Sequence, residues 1–201
     1  ARFSLTPHTM FLFVVIMAWA GDGWRSAALA LAILGCVFLH ELGHALAAAV
    51  LGIGTKEITM YPLGGLTQQI LPERAPVREA LIALAGPLAS IVVAGALVGC
   101  DRVTQSVGLG DSPILLNLAW INVALAVLNL LPVSPLDGGR VLGAALSRRT
   151  SRVRATEITV TMGRTLYFFA GLAILIVGPL GGVDSWVVYL SGVALLMLEA
   201  G

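Results

Sequence analysis

The chain has 201 residues, of which 58% are hydrophobic and 11% charged, with a formal net charge of +1 and a mean hydropathy of +0.93. Ordinary soluble domains carry roughly 45–50% apolar and about 25% charged residues, so this chain lacks the polar surface to stay dispersed in water, and lipid is its better solvent. No basic patch offers itself to nucleic acid. Cys36 and Cys100 stand in separate apolar stretches without C-x-x-C spacing, which argues against a disulfide framework or thiolate metal site; both read as buried core residues.

A helix needs about 20 apolar residues to cross a bilayer. Six runs approach that length, at 7–20, 26–51, 80–100, 113–131, 164–180 and 185–199. The expected fold is therefore an all-α membrane protein, one domain of six transmembrane helices over 1–201. The first run follows Arg2 but is not succeeded by a small-residue cleavage site, so it reads as a span and not a signal peptide. His8, at its edge, reads as interfacial. Between the second and third runs, residues 55–71 alternate in short stretches about a Gly64-Gly65 turn signal. They predict a small β-hairpin at the membrane edge, with a plain loop as the alternative. In the third run, Gly86 and Ser90 form a small-x-x-x-small pair suited to close helix packing. The fourth run stops at Pro132, with Pro135 following, so the fourth helix is broken; an irregular stretch and a short helix from Gly139 to Ser147 come next.

Charge supports this division. Six crossings put ten of the twelve Lys and Arg residues on the side that holds both ends and the loops 52–79 and 132–163, leaving Arg25 and Arg102 opposite. The positive-inside rule makes that side cytoplasmic. The run Arg148 to Arg154 serves topology first and contact with anionic headgroups second. Trp19, Trp24 and Trp186 fall near the outer face, as an aromatic belt would. Ala1 and Gly201 read as the ends of a trimmed piece, which a further domain can follow.

The sharpest feature lies in the second run, His40-Glu41-Leu42-Gly43-His44. Histidines at i and i+4 share one helix face and can reach one zinc ion at about 2.0–2.1 Å. Glu41, beside them, can take a proton from water and pass it to a leaving amine. Gly43 leaves room for another backbone. Chance yields this pattern roughly once in a thousand such chains. Ionisable groups inside a span cost about 2.5–3.5 kcal/mol each and are rare there unless they serve a site. A catalytic zinc needs a third protein ligand and an open position. Asp137, in NLLPVSPLDGGR over 129–140, is the one acid between Asp111 and Glu157. Gly138-Gly139 would let the chain turn it toward the metal; the alternative is a helix N-cap.

These residues resemble the site-2 protease family of intramembrane metalloproteases. His40-Glu41-Leu42-Gly43-His44 is similar to its first motif. Asn129-Leu130-Leu131-Pro132 with Leu136-Asp137-Gly138 is similar to its second, Gly86 to Ser90 to its G-x-x-x-[N/S/G] element, and Tyr61-Pro62-Leu63-Gly64-Gly65 to the pattern after the first metal helix. The resemblance implies one zinc ion held by His40, His44 and Asp137, with Glu41 as general base. It implies hydrolysis of peptide bonds in or near the spans of membrane-protein substrates, single-pass ones among them. Asn129 would hold the substrate backbone or the oxyanion, an interhelical hydrogen bond being the alternative. The strip containing Tyr61, Gly64 and Gly65 would accept an extended substrate as an added strand. Loop 52–79 is too short for a PDZ insertion, which favours the compact branch whose members often carry C-terminal CBS domains. A prokaryotic plasma membrane is the expected location. Oligomeric state is not legible. Two rivals remain at this stage, a metal-ion transporter and a zinc-stabilised inactive scaffold; three histidines are too few for a histidine-box di-iron oxidase.

Overall fold

The computed structural model describes residues 2–5, 23–53, 55–61, 64–69, 75–108 and 110–180. The expected spans 7–20 and 185–199, with His8, Trp19 and Trp186, lie outside the described residues. The chain divides into two units, Ala1–Leu130 and Leu131–Gly201.

The first unit runs β1 (Arg2–Leu5), α1 (Trp24–Val50), β2 (Thr55–Tyr61), β3 (Gly64–Gln69), α2 (Pro76–Ser106) and α3 (Pro113–Asn129). α1 and α2 are long and apolar enough to cross a membrane, and α3, at 17 residues, is a shorter apolar helix. α2 extends beyond the 80–100 run at both ends. Pro76 at its start and Glu79 in its first turn suit a helix N-terminus. α1 packs on α2, and α2 on α3.

Burial follows size more than polarity. Ala30, Ala48, Ala83 and Ala126 are buried, whereas Leu88 and Val92 of α2 are each 64% exposed. Small residues let helix backbones meet while large apolar ones face lipid, the arrangement of a membrane bundle. The helices come close at Gly43, where an added Cβ would come within 2.7 Å of Ala85 O and of the Ala89 Cβ. Cys36 is buried in this packing, but Cys100 is exposed, contrary to its reading as a core residue; an apolar surround of lipid does not require an inward-facing thiol.

α1 ends by a Schellman motif. Gly52, at φ 69°, takes the left-handed position that favours glycine. Its N–H donates to Ala49 O at 3.1 Å, and the Ile53 N–H donates to Ala48 O at 2.8 Å. Ile53 then packs with Ala48 and Ile82, so the stop signal also ties the end of α1 to α2.

The turn from α2 to α3 depends on Asp101, which is 1% exposed. Its carboxylate accepts the Ser112 backbone N–H at 2.8 Å and the Gln105 side-chain amide at 2.7 Å. Nothing local in the sequence marks this acid for that role. Removing a buried acceptor strands both donors, at about 1–3 kcal/mol. Asp101→Ala is therefore expected to lower the thermal midpoint in detergent clearly more than Asp101→Asn, which keeps an oxygen for Ser112; equal midpoints would remove this role.

The sheet has the order β1-β2-β3. β1 runs parallel to β2, from Arg2 opposite Glu57 to Leu5 opposite Met60. β2 and β3 are antiparallel, with Tyr61 opposite Gly64 and Met60 opposite Gly65. Gly64 and Gly65 thus open β3 and do not form the turn that their sequence suggested. β1 was not anticipated, because four residues that pair with a segment more than fifty positions away leave no local signal.

In the second unit, residues 131–136 lead into α4 (Asp137–Leu146), and α5 (Arg152–Leu180) follows and packs on it. Ser134 N–H donates to Thr159 O at 3.1 Å. Gly139 lies so close to this stretch that an added Cβ would sit 2.6 Å from Ser134 N. α5 begins twelve residues before the expected 164. Ser151 caps it, its hydroxyl accepting the Arg154 N–H at 3.3 Å.

Candidate metal centre

His40 and His44 lie on the α1 face that meets α2, with exposures of 3% and 2%, and Glu41 on the same helix is buried at 5%. The helical spacing stacks the two histidines, and α2 fixes their rings. His44 Nδ1 lies 2.7 Å from Ile82 O. A carbonyl can only accept, so Nδ1 carries the proton and Nε2 keeps its lone pair. His40 Nδ1 lies 2.9 Å from the Ser90 hydroxyl. The rings stand at 85° to each other, and their Nε2 atoms are 3.3 Å apart.

That separation is informative. Two nitrogens bound to one tetrahedral ion at about 2.0–2.1 Å lie about 3.3–3.4 Å apart. With its proton on Nδ1 against Ile82 O, His44 turns an Nε2 lone pair toward His40 Nε2, and a second lone pair from His40 would let both nitrogens meet one ion. The space beside them is open because residue 86 is glycine. A Cβ there would land on His44 Nε2 and 2.8 Å from His40 Nε2. The residues present therefore fit a zinc ion through two neutral imidazoles.

Asp137 belongs to the second unit, where it is 7% exposed. It is the first residue of α4, and Leu136, in extended conformation, is the N-cap, so the N-cap reading of Asp137 is displaced by one position. Arg140 approaches it at 3.5 Å. Asn129 closes α3, its side-chain amide donating to Leu125 O at 2.9 Å within the same helix. The interhelical bond considered for it is made by Asn122, whose amide donates to Cys36 Sγ at 3.0 Å. Tyr61 ends β2, and Gly64 and Gly65 begin β3. Sequence reasoning took Ser90 as a packing residue and passed over Ile82; a hydroxyl inside an apolar span, one turn beyond Gly86, was the signal available for the first.

An apolar, span-length helix that carries H-E-x-x-H with converging imidazoles defines a membrane metalloprotein of the metallopeptidase kind. The chain belongs to peptidase family M50, whose sequence profile matches residues 28–107 and 100–170. It is 31% identical to a zinc metalloprotease of Methanocaldococcus jannaschii over 159 residues, covering 78% of this chain and 46% of that protein. It is 26% identical to stage IV sporulation protein FB of Bacillus subtilis over 180 residues, covering 89% of this chain and 60% of that one. Among solved structures it is similar to a site-2 protease from M. jannaschii, with a TM-score of 0.73 and 28% identity over 98% of this chain and 88% of the other. The chain spans about half the length of the curated relatives it matches.

Proposed function

We propose that this protein is a zinc metalloprotease that hydrolyses peptide bonds in or near the transmembrane segments of membrane-protein substrates. The observation that carries this reading is the His40–His44 pair, with Nε2 atoms 3.3 Å apart and His44 locked by Ile82 O as a lone-pair donor. Asp137 would supply the third protein ligand that a catalytic zinc needs. When bound, zinc supplies a Lewis acid that polarises the scissile carbonyl and makes a nearby water easier to deprotonate.

The remaining steps belong to side chains. Glu41 takes the water proton and returns it to the leaving amine. Asn129, released from Leu125 O, donates its amide to the substrate backbone or to the developing oxyanion. A peptide bond in a helix is shielded by its own hydrogen bonds, so the substrate must be extended before attack. An extended segment that adds to the sheet near Tyr61, Gly64 and Gly65 would meet that need. The six-span topology, with residues 52–79 and 132–163 on the cytoplasmic side of a prokaryotic plasma membrane, completes the reading. It is supported by the distribution of Lys and Arg and by archaeal and bacterial relatives.

The test is metal content. Purified wild type should hold one zinc per chain, and Asp137→Ala should lose most of it and all cleavage of a reconstituted single-pass substrate. Full zinc occupancy in Asp137→Ala would remove the third ligand from this proposal.

A further inference from the structure

Both imidazoles of the metal pair are oriented by α2, but through different chemistry. His44 faces the Ile82 carbonyl, which only accepts. His40 faces Ser90, a hydroxyl that can donate or accept, on a side chain with no solvent exposure. Ile82, Gly86 and Ser90 follow one another at i, i+4 and i+8, which places them on one stripe of α2. The outer two hold the Nδ1 atoms, and the middle one clears the space at the Nε2 atoms.

We infer that Ser90 is a positioning residue for the metal site, accepting the His40 Nδ1–H and thereby setting that ring's tautomer and plane so that its Nε2 lone pair converges with that of His44. This inference rests on the zinc reading and deepens it. The physical ground is that an imidazole has two competing nitrogens. A partner on Nδ1 decides which one carries the proton, and ligand basicity and ring orientation follow from that partner. Water does this at an exposed site. At His40, 3% exposed and packed in an apolar bundle, Ser90 Oγ lies within hydrogen-bond distance of Nδ1. Without it the ring can turn about its Cβ–Cγ bond, or carry the proton on Nε2 where the metal should sit.

The test compares wild type, Ser90→Ala and Ser90→Thr as full-length protein in detergent. Two quantities are read in each: the rate at which zinc passes to a chromophoric chelator, and the visible spectrum of the cobalt(II)-substituted protein, which reports ligand geometry in the folded fraction. The thermal midpoint of the metal-free form is measured alongside. Loss of an outer partner typically lowers metal affinity about 10–100-fold, so Ser90→Ala is expected to release zinc faster by that order, with an altered cobalt spectrum and a metal-free midpoint near wild type. Ser90→Thr, which keeps the hydroxyl, is expected to restore both readouts. Ser90→Ala matching wild type in release and spectrum would overturn the inference. So would equal losses in both variants with unchanged metal-free midpoints, because the effect would then follow side-chain volume and not the hydrogen bond. A wild type that bound neither zinc nor cobalt would instead sink the zinc reading itself, so the two failures are distinguishable.

Discussion

Glu41→Gln is expected to leave one zinc per chain and to abolish cleavage. The substitution changes little except charge and basicity. Gln has the shape of Glu, and at 5% exposure the pocket around residue 41 keeps its packing. The imidazoles are held from α2 by Ile82 O and Ser90, so metal content should not change. An amide cannot accept a proton at neutral pH, and loss of a positioned general base removes about 10²- to 10⁴-fold in rate. Turnover of a reconstituted single-pass substrate should fall by at least that factor, with zinc measured on the same preparation. Preserved turnover would show that another group takes the proton. Loss of zinc alongside turnover would make Glu41 part of the metal cage.

What sequence could and could not show follows from the distance of each interaction along the chain. The H-E-x-x-H pair was legible because a helix converts a four-residue spacing into one face, with no tertiary knowledge needed. The end of α1 was legible for a similar reason: Gly52 marks it, and the motif it forms closes within six residues. The partner of Ser90 was not legible because it lies fifty positions away on α1, and size is visible in a sequence where partnership is not. Asp101 was missed in the same way, since capping the turn before α3 requires the chain to double back over eleven residues.

Hydropathy imposed a different limit. It located α1 and α2 well, but it placed the start of α5 at 164. Residues 152–163 include Arg152, Arg154 and Glu157, and a hydropathy window cannot see helix that carries charges. A local signal was present, since Ser151 stands ahead of the helical stretch and caps it. The one-residue displacement at Asp137 is a smaller case. Acids suit both the N-cap and the first turn of a helix, and only backbone angles separate the two. Strand β1 carried no signal at all.

Gly86→Ala is expected to destroy metal binding while leaving the helix that carries it intact. Alanine in place of a mid-helix glycine ordinarily stabilises a helix, by about 0.5–1 kcal/mol, so α2 itself has no reason to fail. The new methyl, however, would occupy the point on which both Nε2 atoms converge. Two relaxations are open. The methyl can hold its place, and the metal is then excluded by volume. Alternatively the rings can swing aside, which breaks the bonds to Ile82 O and Ser90 that give them their orientation. Either way zinc affinity should drop more than 100-fold, beyond the roughly 10–100-fold typical of losing one outer partner. The metal-free protein should unfold at or above the wild-type temperature where the methyl holds its place, and below it where the rings swing aside and leave their buried partners stranded. Competition with a chelator of known affinity gives the first quantity, and thermal unfolding in detergent gives the second. A variant that held zinc with wild-type affinity would mean that the two imidazoles do not share an ion at the position where their lone pairs meet.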